Sequence, residues 1–179
     1  MAQFIERYDL ATTVEEMATA FRPTYLAAYQ VEPDVIDGLR RLRAEGWSLG
    51  IVTNGPPSQG EKVTATGLDQ LVDGWAVSEV VGFRKPDPRV FEAAAAECGA
   101  TLDGAWMVGD SAPADMAGAH NTGLRSIWLD RGRSWSDVAG LTDPFETTHG
   151  LASSRPADPF EPDHIVGHIT DAMAIVGGW

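Results

Sequence analysis

The segment SLGIVTNG at residues 48–55 is a short apolar run that ends in polar, turn-forming residues. A run of this length followed by Asn-Gly predicts a buried strand and then a turn. AWMVGD at 105–110 and RSIWLD at 125–130 repeat the arrangement, and WAVSEVV at 75–81 predicts one more strand. Strands that are apolar nearly throughout are typical of a parallel sheet buried on both faces.

Helix patterns stand between the predicted strands. Apolar residues recur at helical spacing from Pro33 to Glu45, with Gly46 placed to end that helix. Further helices are predicted at 58–66, 88–98, 113–121 and 168–176, and a last short strand at 164–166. Regular alternation of strand and helix favours right-handed crossover connections. The sequence therefore predicts an α/β fold with a doubly wound, mainly parallel sheet.

Two segments depart from this alternation. Residues 13–29 carry a helix pattern with Thr13 and Glu16 spaced as a capping box, and Pro23 is expected to break or kink the helix. Residues 131–163 are rich in Ser, Asp, Gly and Pro without periodicity, which predicts a long irregular loop. We interpret this loop as a surface excursion; the alternative is a functional flap near the site.

Composition and charge exclude several classes of protein. The 179 residues suit a single domain, and 44% apolar with 22% charged residues is ordinary globular usage. A formal charge of −13 opposes binding to nucleic acid or anionic lipid. Cys98 is the only cysteine, which excludes an intrachain disulfide, and no run of 18 apolar residues indicates a membrane span. We expect a cytoplasmic protein that binds neither nucleic acid nor membranes.

Polar residues at the strand ends are candidates for chemistry, because ligands of parallel sheets bind beyond the carboxyl ends of the strands. Thr53, Asn54 and Gly55 offer a hydroxyl, an amide and flexible backbone ahead of a helix N-terminus, which suits a phosphate oxygen. Lys85 lies in the loop GFRKPDP at 82–88, where prolines would hold its ammonium in place to neutralise a phosphoryl group. The alternatives are an ordinary turn and an exposed lysine without function.

Two carboxylates accompany the strand at 105–110. Asp110 ends that strand after Gly109, and Asp115 follows five residues later, near the start of the next helix. Carboxylate oxygens at such a place suit a hard cation such as Mg²⁺. The alternative is that Asp110 or Ser111 only caps the helix.

The order and spacing of these segments closely resemble motifs two, three and four of the haloacid dehalogenase (HAD) superfamily of phosphohydrolases. The matching pieces are a strand ending Thr-Asn-Gly, a Lys-Pro-Asp-Pro loop, and Val-Gly-Asp-Ser followed by Asp115. Connecting residues are similar as well: Gly67-Leu68, Val77-Ser78-Glu79, Phe91 and Gly118-Ala119. The resemblance covers about residues 33–130, and the last strand and helix more weakly.

The resemblance implies a Rossmann-like core and a Mg²⁺-dependent reaction. In the family, an aspartate carboxylate attacks phosphorus and water hydrolyses the resulting aspartyl-phosphate, while a second aspartate acts as general acid and base. The implied catalytic residues are Thr53 and Lys85, the substrate-binding residues are Thr53, Asn54, Gly55 and Lys85, and the metal ligands are Asp110 and Asp115.

The two reacting aspartates of the family lie in an Asp-x-Asp-x-Thr motif that this sequence lacks. The nearest candidate nucleophile is Asp9, but the charged residues before it do not suit a buried central strand. Residues 1–32 instead resemble a remnant of the helical cap that many members insert between motifs one and two. On this interpretation residues 33–179 form a core without its first strand, which leaves a gap of about 9.6 Å between the strands ending at Thr53 and Asp110.

The sequence therefore predicts a HAD-like hydrolase, most simply a Mg²⁺-dependent phosphatase for a small phosphorylated metabolite, with this chain itself inactive. A start codon assigned too late or a deliberately shortened fragment would explain the missing strand, and an in-frame Asp-x-Asp-x-Thr upstream of Met1 would support the first explanation. Two alternatives stand: an inactive remnant that binds phosphate and metal, and a 2-haloacid dehalogenase, which needs no metal.

Overall fold

Helices and parallel strands alternate along the chain. The computed structural model describes residues 1–142 and 160–179, so part of the predicted 131–163 loop lies outside the described residues. The helices are α1 (Ala2–Arg7), α2 (Val14–Ala27), α3 (Pro33–Ala44), α4 (Ser58–Ala65), α5 (Ser78–Val81), α6 (Pro88–Glu97), α7 (Ala117–Thr122), α8 (Trp135–Val138) and α9 (Ile169–Gly177). The strands are β1 (Gly50–Thr53), β2 (Gly74–Val77), β3 (Trp106–Gly109), β4 (Arg125–Leu129) and β5 (His164–Val166).

The strands form two parallel sheets. One sheet pairs β1 with β2, so that Ile51 lies opposite Trp75. The other has the order β3-β4-β5, with Ile127 of β4 opposite both Val108 and His164. Parallel neighbours joined by helical crossovers confirm the predicted α/β fold.

The edge strands β1 and β3 do not pair with each other. A cavity of about 460 Å³ lies between them, lined by backbone and side chains of both strands and by apolar side chains of α3, α6 and α9. Met107 of β3 packs against the cluster around Phe91 of α6, whereas Trp106 and Val108 pack against the cluster around Ala172 of α9. The cavity therefore lies between two helical layers, level with the edge strands β1 and β3.

Local signals in the sequence explain most helix boundaries. The Thr13 side chain accepts a hydrogen bond from the Glu16 amide, and the Glu16 side chain accepts one from the Thr13 amide, so the predicted capping box is present. Asp87 caps α6, accepting a hydrogen bond from the Arg89 amide at 3.0 Å. Pro23 lies inside α2 without ending it. A proline removes one helical hydrogen bond, and the rest of α2 continues across that position.

Two predicted elements differ in the structure. The predicted strand at 75–81 ends at Val77, and Ser78–Val81 forms α5, which Gly82 ends at a φ of 83°. The sequence did not indicate this change from strand to helix, because a short apolar segment is compatible with either structure. The predicted helix at 113–121 begins as a π-helical turn at Ala112–Met116 and becomes α-helical at Ala117. Such wide turns are frequent at functional sites.

Two helices precede α3, and the second of them, α2, packs against α4. Lys62 of α4 lies over the rings of Tyr25 and Tyr29, and Arg22 pairs with Glu61. Asp9 lies in the exposed turn between α1 and α2, at a φ of 46°. The interpretation of residues 1–32 as a cap remnant stays a prediction. Within the described residues, every helix is too short or too polar to cross a membrane.

Candidate functional site

Lys85 joins the ends of the two sheets. Its Nζ donates a hydrogen bond to the carbonyl oxygen of Val52 in β1 at 2.8 Å and lies 2.7 Å from Oδ1 of Asp115, beyond the end of β3. The Lys85 side chain is 11% exposed and that of Asp115 is 6% exposed. The carboxyl ends of β1 and β3 therefore lie next to each other, which is where parallel sheets bind their ligands.

The Lys85–Asp115 contact is an ion pair rather than a well-directed hydrogen bond. Although the distance is 2.7 Å, Oδ1 of Asp115 is fully buried and, among the described residues, receives no hydrogen bond of good geometry. At 2.7 Å the two charges are paired. Because the Lys85 ammonium does not meet Oδ1 in a good hydrogen-bond direction, this oxygen can still accept a hydrogen bond. A buried carboxylate oxygen in this condition is available to a further positive group.

Asn54 fixes the loop that carries Lys85. The Asn54 amide group donates to the Lys85 carbonyl at 3.0 Å, and its oxygen accepts from the Lys85 backbone N–H at 2.8 Å. The next residue, Gly55, donates its N–H to the buried hydroxyl of Ser78 at 3.0 Å. Because Asn54 and Gly55 are both held in this way, the end of β1 and the Lys85 loop form one hydrogen-bonded unit. Thr53 lies within this unit, between Val52 and Asn54.

Asp115 is held against the end of β3. Its Oδ2 accepts a hydrogen bond from the Ser111 N–H at 3.0 Å. A Cβ atom on Gly109 would lie 2.2 Å from the same oxygen, so only glycine permits this approach. The wide turn at Ala112–Met116 places Asp115 back over the strand end, and its side chain points to Lys85.

Asp110 differs from Asp115 because its carboxylate faces solvent. Its side chain is 46% exposed, and Oδ2 lies 2.8 Å from Nε of Arg131. Its backbone carbonyl accepts two hydrogen bonds, from Nε1 of Trp128 at 3.1 Å and from a terminal nitrogen of Arg133 at 2.6 Å. The backbone of Asp110 is therefore held by β4 and by the turn that follows, whereas its carboxylate pairs, among the described residues, with the exposed Arg131.

The donors at this edge fit a hard divalent cation. Mg²⁺ is typically held in proteins by one or two carboxylates, with water and phosphate oxygens completing its coordination. Asp110 offers an exposed carboxylate, and Asp115 offers a buried oxygen with unused accepting capacity. The described residues contain no cluster of three or more metal-ligating side chains, so protein ligands would supply only part of the coordination.

The loop after Lys85 is stabilised by its own charges. The hydrogen bonds that Arg89 donates lower the pKa of the Asp87 carboxyl below its ordinary value. The guanidinium approaches Asp87 at 2.9 Å through Nε. The N-cap of α6 is therefore an anion at neutral pH, which also suits the positive end of the helix dipole.

All six predicted site residues lie at the carboxyl ends of β1 and β3 or in the Lys85 loop. The structure brings Lys85 and Asp115 into contact and joins Asn54 to the backbone of Lys85 by a hydrogen bond. The roles predicted for these residues stay predictions. Four contributors were missed: Ser78, Trp128, Arg131 and Arg133. Gly82, four residues after Ser78, is a sequence signal for the end of a helix. No local sequence pattern indicates that the residues after β4 contact Asp110.

Known proteins resemble this chain in sequence and in fold. The sequence profile of haloacid dehalogenase-like hydrolases matches residues 2–123, and that of HAD-hydrolase-like proteins matches residues 82–172. The crystal structure of a HAD phosphatase from Thermococcus onnurineus superposes with a TM-score of 0.67 at 28% identity, covering 99% of this chain and 70% of that chain.

Curated relatives include phosphatases. Phosphoserine phosphatase of Thermus thermophilus is 38% identical over 116 residues, which are 64% of this chain and 47% of that protein. Glyceraldehyde 3-phosphate phosphatase of Methanopyrus kandleri is 34% identical over 121 residues, 67% of this chain and 52% of that protein. The chain thus spans about half the length of these relatives. Because the first profile covers more than half of its residues, the chain belongs to the haloacid dehalogenase-like hydrolase family.

Proposed function

We propose that this chain supplies the phosphate-binding and Mg²⁺-binding residues of a phosphatase for a small phosphorylated metabolite. The observation that carries the proposal is the buried Lys85 ammonium, fixed between the Val52 carbonyl and Asp115 at the carboxyl ends of β1 and β3. A fixed cation at a strand end is suited to bind the charge of a phosphoryl group. The relatives named for phosphoserine and glyceraldehyde 3-phosphate phosphatase support a small phosphorylated substrate.

Each residue has a separate role in this proposal. Thr53 binds a phosphoryl oxygen through its hydroxyl, and Gly55, whose N–H is donated to Ser78, lets the phosphate approach the backbone closely. Asn54 holds the Lys85 loop through two hydrogen bonds. Asp110 and Asp115 would hold the metal ion. When bound, Mg²⁺ would neutralise phosphate charge and polarise a phosphoryl oxygen. Lys85 lowers the cost of bringing an anion to this edge, since its ammonium stays in place.

Hydrolysis through an aspartyl-phosphate requires an aspartate that attacks phosphorus and expels the alcohol, followed by water that releases phosphate. Among the described carboxylates at this edge, Asp115 is paired with Lys85 and Asp110 with Arg131. Asp9 lies in an exposed turn. We therefore assign phosphate and metal binding to these residues and no attack on phosphorus.

A binding or regulatory module without turnover is the second candidate function. It is favoured by the same observation, that both carboxylates of the site are engaged by cations. The two candidates agree on phosphate and metal binding and differ in turnover.

Isothermal titration of inorganic phosphate in the presence of Mg²⁺ tests the shared part. We expect Thr53→Val to weaken phosphate binding about tenfold, the loss of one hydrogen bond to an anion. Thr64→Val is the matched control, because Thr64 is an exposed residue of α4 whose hydroxyl donates to Glu61. Equal phosphate binding by all three proteins would contradict the assignment of Thr53. Mg²⁺ binding unchanged in Asp110→Asn would contradict the metal site.

A further inference from the structure

The turn after β4 directs two arginines at Asp110. Asp130 accepts hydrogen bonds from the Gly132 amide through its side chain at 2.7 Å and from the Arg133 amide through its carbonyl at 2.9 Å. Arg131 lies between them at a φ of 49°, a conformation that non-glycine residues seldom adopt. This turn therefore holds the Arg131 backbone in one place, beside the end of β3.

The two arginines make different contacts with Asp110. Arg133 binds the backbone carbonyl at 2.6 Å and also donates to the Asp130 carbonyl at 3.1 Å, so its guanidinium is committed to backbone oxygens. Arg131 touches only one carboxylate oxygen, Oδ2, at 2.8 Å in the contacts the structure describes for it, and its side chain is 66% exposed. Arg131 is therefore the partner that can leave Asp110 without disturbing the backbone.

From this geometry we propose that Arg131 is the cation that neutralises Asp110 until a metal ion binds there, and that Arg131 then contacts the phosphate. This inference rests on the proposed function, because it assigns a regulatory residue to the same phosphate and metal site. A guanidinium and a divalent cation compete for the same carboxylate oxygens. An exposed ion pair is weak, so its replacement costs little free energy.

The released guanidinium has a natural partner at this edge. Guanidinium groups bind phosphate oxygens with two parallel hydrogen bonds, a geometry that a single carboxylate oxygen does not use. Arg131 therefore opposes metal binding when phosphate is absent and favours phosphate binding when metal is present. By linkage, phosphate must raise the affinity for the metal as much as the metal raises the affinity for phosphate.

Replacing Arg131 should change the affinity for Mg²⁺ and the affinity for phosphate in opposite directions. Arg131→Gln should raise the Mg²⁺ affinity of the phosphate-free protein about two- to fivefold, the range of exposed ion pairs. It should lower the affinity of the Mg²⁺-loaded protein for inorganic phosphate by a similar factor, about two- to fivefold. Both constants are measured by isothermal titration with the metal alone and with inorganic phosphate.

Arg40→Gln is the matched control. Arg40 lies on α3, is also 66% exposed, and pairs with Asp37 at 3.3 Å, so its loss changes the net charge equally. We expect neither affinity to change in this variant. The Nε–Hε NMR signal of Arg131 gives a second measurement, since it should shift when Mg²⁺ is added to the wild-type protein and remain unmoved in Asp110→Asn.

The outcomes separate this inference from the proposed function. If the wild-type protein binds Mg²⁺ through Asp110 and Arg131→Gln changes neither affinity, or both in one direction, the role of Arg131 is wrong while the site stands. If Mg²⁺ binding is the same in wild type and Asp110→Asn, the metal site itself is wrong, and the inference fails with it.

Discussion

Nζ of Lys85 lies 2.7 Å from Oδ1 of Asp115, and the two side chains are 11% and 6% exposed. The pair bridges the end of the β1–β2 sheet and the end of the β3–β4–β5 sheet, which do not pair with each other. The ammonium also binds the Val52 carbonyl, so the pair belongs to both sheets. An electrostatic contact therefore connects the sheets at the place where phosphate is proposed to bind.

Removing one partner of this pair should be strongly destabilising. Lys85→Met leaves the Asp115 carboxylate buried without its counter-charge, which typically costs about 3–5 kcal/mol. Asp115→Asn should cost less, because the buried Lys85 ammonium keeps its hydrogen bond to the Val52 carbonyl and still faces an amide oxygen. The measurement is the free energy of unfolding from urea titration.

The Lys85→Met/Asp115→Asn double variant completes a mutant cycle. We expect its loss of stability to be smaller than the sum of the single losses by about 1–3 kcal/mol, since the charges are removed together. Additive losses would show that the two side chains do not interact in solution.

Gly109→Ala tests the close approach of Asp115 to β3. The added Cβ would lie 2.2 Å from Oδ2 of Asp115, so the carboxylate must move away from the Ser111 amide that it accepts from. Overpacking of this kind costs about 1–3 kcal/mol. Gly167→Ala is the control, since its Cβ would meet no atom within 4 Å. A thermal melt that separates the two variants supports the geometry, and equal melting temperatures would contradict it.

The sequence predicted the parts of the fold that depend on local chemistry. The capping box at Thr13 and the aspartate cap with proline at the start of α6 marked their helices because the stabilising partners are near in sequence. The strand predicted at 75–81 was too long, because the end of β2 depends on a contact with a residue that is distant in sequence. The Ser78 hydroxyl is buried against Gly55, across the sheet, and no local pattern reports that bond.

In the candidate site, too, local sequence indicates some residues and leaves out others that make distant contacts. Thr53 and Asp110 could be selected because polar residues at strand ends are unusual in an apolar sheet, and Lys85 because prolines follow it closely in the loop at 82–88. The contacts of Arg131 and Arg133 with Asp110 cross from the end of β4 to the end of β3. Such contacts follow from the order of strands in the sheet, and residue spacing along the chain does not encode them.

Asp87 gives the stability a specific dependence on pH. Hydrogen bonds from Arg89 lower the pKa of this carboxyl from an ordinary value of 3.8. A lowered pKa means that ionised Asp87 stabilises the folded protein above about pH 4, and that this contribution is lost as the pH falls through the lowered pKa. The difference in unfolding free energy between wild type and Asp87→Asn should therefore be greatest near neutral pH and shrink below pH 4.

Asp87→Ala separates the charge from the cap. Asparagine can still accept the hydrogen bond from the Arg89 amide, whereas alanine cannot, and a lost N-cap costs about 1 kcal/mol. The alanine variant should stay less stable than wild type at low pH as well. A gap between wild type and Asp87→Asn that does not change with pH would show that the ionised carboxylate has no special stabilising role.

Hydrogen exchange should reveal the open edge of β1. The Val52 carbonyl is bound by Lys85 and not by β2, and the N–H of the same residue points to the same side of a strand. We expect the Val52 amide to exchange faster than those of Ile51 and Thr53, which face β2. Amides of β4, which pairs on both sides, should exchange most slowly. Equal protection along β1 would mean that the gap between the sheets is closed in solution.

Turnover by this chain is the remaining prediction. With Asp110 and Asp115 each paired to a cation, we expect negligible release of phosphate from p-nitrophenyl phosphate with Mg²⁺, although phosphate itself binds. Release of phosphate and of halide from a 2-haloacid should be measured together, with and without Mg²⁺, because the dehalogenase alternative predicts halide release that needs no metal. Robust hydrolysis that Asp9→Asn abolishes would show that the exposed turn at Asp9 supplies the nucleophile, and would overturn the assignment of phosphate and metal binding without attack on phosphorus.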